Sequence, residues 1–115
     1  MLSNAESAEA AASSARAMVL SEKNAKAFEV KSAALQVEAA ERMLTLYKTS
    51  LLPQTELSFE SALRNYQSGK IDFLTLLDTE RELKMIRLEY ANTLAGYRKR
   101  VAALERVIGT DLIRL

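Results

Sequence analysis

The chain has 115 residues, a net charge of +1 from 16 basic and 15 acidic side chains, three Gly, one Pro, and no Cys, His or Trp. Without Cys or His there is no disulfide, no thiolate nucleophile, and neither the commonest general base nor the commonest metal ligand. The mixed charge gives no basic face for nucleic acid or a membrane surface. So few turn formers imply few turns, and an Ala, Leu, Glu, Lys and Arg composition suits long helices.

The N-terminal stretch, Met1 to Ala12, is alanine-rich and acidic, unlike a secretory signal. No apolar run reaches the ~18 residues that a membrane span needs. An exported natural protein would therefore contain this chain as a fragment. From about Glu6 to Leu52 there is neither Gly nor Pro, which predicts one uninterrupted helical stretch. Its first part, Ala8 to Ala17, offers only a thin apolar stripe. Larger apolar residues follow at Phe28, Leu35, Met43, Leu46, Tyr47 and Leu51.

Pro53 is the first interruption. Proline inside a helix removes a hydrogen bond and clashes with the preceding turn, yet it fits a first turn. Two structures fit: a kinked continuous helix, or a short break with Thr49 or Ser50 as local cap. The immediate return of a helical pattern at Leu57, Ala62 and Tyr66 favours the kink.

Asn65 to Asp72 predicts a helix end, a tight turn and a helix start. Gly69 is placed to take the left-handed conformation that closes a helix. Asp72 precedes an apolar run from Phe73 to Leu77 and suits an N-cap. So short a connection makes the helices antiparallel neighbours. The last helix carries Leu83, Ile86, Tyr90, Leu94, Tyr97, Val101, Leu104 and Ile108 at spacings of three and four, a near-heptad seam. Gly109 is expected to close it, with a tail from Thr110. No segment alternates with period two. The fold class is therefore all-α: one long antiparallel, coiled-coil-like helical hairpin with no sheet. The first helix is expected over about 5–68, the turn over 68–72 and the second helix over about 72–108. Each rod buries one stripe, so the remaining apolar surface should meet other helices.

The candidate chemistry is thin. Asp72 and Asp78 do not stack on one helix face, Glu80 and Glu82 diverge, and no carboxylate is joined by the His of helix-bundle metal sites. No catalytic residue, cofactor or metal site is expected. The Tyr and Phe residues fit packing better than a ligand cage, with Tyr66 and Phe73 closing the hairpin end.

Leu51-Leu52-Pro53-Gln54, the run from Tyr66 through Gly69 and Asp72 to Leu83, then Tyr90, Tyr97-Arg98, Ala103-Leu104-Glu105 and Ile108-Gly109, resemble the outer-membrane efflux protein family of the TolC type. The likeness covers roughly 47–109 in motif and 5–46 in character. It implies the periplasmic hairpin of the second of two structural repeats. Three copies of the whole protein would build a twelve-helix α-barrel that continues into an outer-membrane β-barrel. It would serve as a passive conduit for exported solutes, driven by an inner-membrane transporter. The turn would then be the periplasmic tip, where Tyr66, Ser68, Gly69, Lys70 and Ile71 map onto the surface that meets the membrane-fusion adaptor protein. Asp78 matches an acid facing the narrow pore entrance. TolC has a second acid where this chain has Thr75, and an arginine where it has Ile71, so the aperture network of TolC is only partly reproduced. A coiled-coil scaffold module outside any channel shares the hairpin and the missing catalytic groups. A cytoplasmic helical-bundle enzyme is disfavoured by the lack of His and Cys.

Overall fold

The computed structural model describes residues 3–113. It contains three helices, α1 (Asn4–Leu46), α2 (Leu52–Gln67) and α3 (Phe73–Ile113), with a π-helical turn at Tyr47–Leu51 joining the first two. The described residues contain no strand. The chain thus makes a hairpin of two rods, 97 Å long and 26 by 16 Å across. One rod is α1, the π-helical turn and α2 end to end; the other is α3.

The first rod starts with a capping box. Ser3 Oγ accepts from Glu6 N at 3.2 Å, and Glu6 Oε2 accepts from Ser3 N at 3.3 Å. Two backbone donors that the first helical turn would leave unpaired are thereby satisfied.

The seam of α1 is made of small residues. Val30, Ala33, Val37, Ala40, Leu44 and Tyr47 are half-buried against α3. The larger residues that stand out in the sequence point away from it: Phe28, Leu35, Met43 and Leu46 are all exposed. The physical reason is phase. These four lie on a different helical stripe from the Val/Ala seam, and small side chains let two rods approach closely.

Between the rods the seam closes on Ala62, Leu76 and Leu83, with Leu83 the most buried at 4% exposure. Along α3 it follows Thr79, Ile86, Tyr90, Leu94, Tyr97, Val101 and Leu104, all half-buried. The expected α3 seam is therefore present, except that Ile108 is exposed. Two polar links set the register. Tyr47 Oη donates to Glu89 Oε2 at 2.9 Å, and Arg100 Nη1 donates to Gln36 Oε1 at 2.6 Å. By that register, and at 1.5 Å rise per residue, α3 runs out opposite roughly residue 23 of α1. Every residue from Ser3 to Ala25 is correspondingly exposed.

Pro53 neither breaks the rod nor leaves it a plain α-helix. Instead, the turn before it widens. Leu52 N donates to Tyr47 O, five residues back, and Pro53 falls in the first turn of α2. The wider turn relieves the clash of the proline ring with the preceding carbonyls. Gly109 does not close α3, which continues to Ile113. It lacks the positive φ of a helix-ending glycine, and the Thr110 hydroxyl donates back to Arg106 O at 2.8 Å.

Candidate functional site

The turn that joins the rods is fixed by local hydrogen bonds. Ser68 N donates to Arg64 O at 3.0 Å, Gly69 N to Tyr66 O at 3.0 Å, and Lys70 N to Asn65 O at 2.8 Å. The last two are the paired bonds of a Schellman motif, which satisfies carbonyls that the end of α2 would leave free. That motif needs one residue at positive φ. Gly69 supplies it at φ 77°, and it is the only such residue described. The Ser68 hydroxyl adds a bond to Asn65 O at 3.2 Å.

α3 begins on Asp72 as the sequence predicts. Asp72 Oδ1 accepts from Thr75 N at 3.0 Å and also from the Thr75 hydroxyl. These two bonds, the hydroxyl foremost, hold the Asp72 carboxyl below its ordinary value of 3.8. Above the turn, the rings of Tyr66 and Phe73 meet edge to face with centroids 6.0 Å apart.

The expected tip residues therefore do come together. Tyr66, Ser68, Gly69 and Lys70 are exposed and Ile71 is half-buried. Phe73 and Leu74 widen the patch with apolar surface, at 56% and 67% exposure.

Asp78 lies about one and a half helical turns further along, off the seam that holds Leu76. Its carboxylate is 4.0 Å from the Arg81 guanidinium, and both side chains are more than two-thirds exposed. A pair so exposed and so long is worth about 0–1 kcal/mol. Asp78 is therefore a solvated charge on the rod's surface.

Two open grooves lie on the surface of α1 alone, one lined by Glu38, Glu41, Arg42 and Thr45 and the other by Glu22, Ala25, Lys26 and Glu29. Among the described residues no group of three or more carboxylates could hold a metal ion. No helix there is long and apolar enough to cross a membrane.

Sequence reasoning missed the pairing of Tyr47 with Glu89. The two are 42 residues apart, and only the register of the folded hairpin brings them together. The Glu89 carboxylate accepts the tyrosine hydroxyl and raises the Tyr47 pKa above its ordinary 10.0, since losing the proton would lose the bond.

Comparison with known proteins gives a consistent result. The family described as outer membrane efflux protein matches residues 1–110. The cobalt-zinc-cadmium resistance protein CzcC of Cupriavidus metallidurans is 29% identical over 62 residues, which is 54% of this chain and 15% of that protein. No solved structure matches the chain.

Proposed function

The chain belongs to the outer membrane efflux protein family, and on that premise we propose that it is the periplasmic hairpin of a TolC-like channel, with its Gly69 turn docking the membrane-fusion adaptor. Family members are channel and transport components, not enzymes. The chain spans about 15% of the curated relative's length. The rest of the channel, including the β-barrel in the outer membrane, would then lie in other parts of the protein.

One observation supports this reading above the others. A hairpin 97 Å long ends in a turn whose backbone is held by local hydrogen bonds and by Gly69 at positive φ, while larger apolar side chains stand on its flanks. Lateral apolar faces suit packing beside further helices in a barrel wall. In the full channel three copies would supply that wall. A preorganised end suits recognition, because less ordering entropy is lost on binding. Tyr66, Ser68, Gly69, Lys70 and Ile71 would form the docking tip. An adaptor and an inner-membrane transporter would complete a tripartite pump. Asp78, repeated by threefold symmetry, would form an acidic ring in the lumen and favour cations. CzcC is named for resistance to cobalt, zinc and cadmium, cargoes that such a ring would admit. A coiled-coil scaffold outside any channel would share the fold but not the family.

Photo-crosslinking in cells making the full-length protein tests the docking. A photoreactive side chain in place of Lys70 should capture a periplasmic adaptor, and one in place of Lys31, far up the rod, should not. Capture at Lys31 with none at Lys70 would overturn the tip assignment.

A further inference from the structure

The seam of the first rod changes phase once. Above the π-helical turn the three-and-four repeat of half-buried positions runs Val30, Ala33, Val37, Ala40, Leu44 and Tyr47, with Lys26, Ser32 and Ala34 half-buried beside it. Continued at the same three-and-four spacing, the repeat would lead to Leu51, Gln54, Ser58 and Ser61. Leu51, inside the turn, is half-buried, but Gln54, Ser58 and Ser61 are exposed, and the covered repeat beyond the turn runs Leu52, Thr55, Phe59 and Ala62, each one position later. One residue has been inserted into the repeat. In an unbroken α-helix it would turn everything beyond by about 100°, swinging Phe59 and Ala62 into solvent and Ser58 and Ser61 onto α3. The π-helical turn absorbs that residue, and both halves of the rod face one partner.

That solution is local and loosely bonded. Pro53 has no N–H to give to the turn behind it. The hydroxyls on either side compete for carbonyls: Thr49 Oγ1 donates to Thr45 O and Thr55 Oγ1 to Leu51 O, both at 2.7 Å. Back-bonding of this kind bends helices and weakens them. The residues of the π-helical turn lie between half-buried and exposed, with none buried. Two side-chain links tie this level to the other rod: the hydrogen bond from Tyr47, the first residue of the turn, to Glu89, and beyond it a long, exposed ion pair between Glu56 and Arg87 at 3.9 Å. α3 runs past without interruption, so bending at the turn would bow α3 like a leaf spring.

We propose that the π-helical turn at Tyr47–Leu51 is a hinge latched by the Tyr47–Glu89 hydrogen bond, about which the tip half of the hairpin bends relative to the rest. Opening the latch frees the wide turn, and the tip moves while both seams remain packed. The device does not depend on what the tip binds.

Amide hydrogen exchange on the intact protein, read by mass spectrometry, tests it. Amides over 48–56 should exchange about tenfold faster than those over 37–44 and 59–63, as local opening there requires. Tyr47→Phe removes the latch while preserving the ring, and should speed 48–56 several-fold further while leaving the flanks unchanged. Deleting Ser50 together with Pro53→Ala removes the inserted residue and the proline, so a continuous α-helix keeps both seams in phase. That variant should bring 48–56 to the rate of its flanks. Spin labels at Lys31→Cys and Gln67→Cys, in a chain without other cysteines, should show a broad distance distribution that widens in Tyr47→Phe. Flank-like protection over 48–56 in the unaltered protein, or no change in exchange and distance width in Tyr47→Phe, would overturn the hinge. The Tyr47→Phe result decides even if the deletion variant does not fold.

Discussion

The two ends of the molecule are helical for different reasons. At the tip, the Schellman bonds, the positive φ of Gly69, the Asp72 cap and the Tyr66–Phe73 ring pair all specify one backbone path. At the other end, Asn4 to about Lys23 of α1 extends beyond α3 with only a capping box and alanine propensity to hold it. The tip is specified by geometry that few residues can adopt. The arm is specified by composition, which many sequences would satisfy. Substitutions should therefore be felt at the tip and seam and hardly at all in the arm or on the flanks.

The largest effect is expected in the seam. Leu83→Ala should lower stability by about 2–3 kcal/mol, because Leu83 is the most buried side chain described. Leu88→Ala, one and a half turns on and 62% exposed, should leave the chain's thermal unfolding nearly unchanged. Equal losses for the two would mean that the flank is already packed in solution. In that case the chain self-associates, as its uncovered apolar surface suggests.

Next comes the tip. A Cβ on Gly69 would meet nothing within 4 Å, so any cost of a side chain there is conformational and not steric. Gly69→Val should lose about 1–2 kcal/mol from a β-branched residue held at positive φ. Gly96 gives the opposite sign. It is helical, and its Cβ position is also open. Gly96→Ala should therefore gain about 0.5–1 kcal/mol. Thermal unfolding of the two variants side by side separates backbone strain from helix propensity.

The tip features were legible in the sequence because each is a local rule. A glycine ending an apolar period and an Asp opening the next need no knowledge of the partner rod. The seam of α3 was legible for the same reason, since its large residues fall at heptad spacing. In α1 the size of the apolar residues is no guide to the seam. Phe28, Leu35, Met43 and Leu46 are the conspicuous residues, yet alanines and valines make the contact. Pro53 signalled an interruption but not its form. The inserted residue shows only when the small-residue seam is followed across it, from Leu44 and Tyr47 to Thr55 and Phe59. Gly109 resembled a terminator, but glycine ends a helix only where a left-handed residue is needed, and none is needed there. At the candidate site, the Gly69 turn and the Asp72 cap were legible locally, whereas Tyr47 with Glu89 depends on register across 42 residues.

The smallest expected effect is one of pH. The folded carboxyl of Asp72 titrates below its ordinary 3.8, held there by the Thr75 hydroxyl and amide. Its stabilisation is fully present above 3.8 and is lost as pH falls through the lower folded-state value. Asp72→Asn keeps a capping oxygen but cannot titrate. Between pH 4 and about 2, the unfolding temperature of the unaltered chain should fall more steeply than that of Asp72→Asn. Parallel slopes would mean that the cap contributes nothing through its charge.

The central claim is that this hairpin lines a conduit. Single-channel conductance of the full-length protein in a planar bilayer tests it most directly. Cysteines placed singly at Thr75, Asp78 and Glu82 share one face of α3 and one at Arg87 lies on the opposite side, and this segment contributes no native thiol of its own. A charged thiol reagent should alter conductance at Asp78 and at the positions sharing its face, and leave the other unaffected. Asp78→Asn should reduce cation preference and relieve block by divalent cations. Conductance insensitive to reagent at all four positions, with ion preference unchanged in Asp78→Asn, would contradict the account.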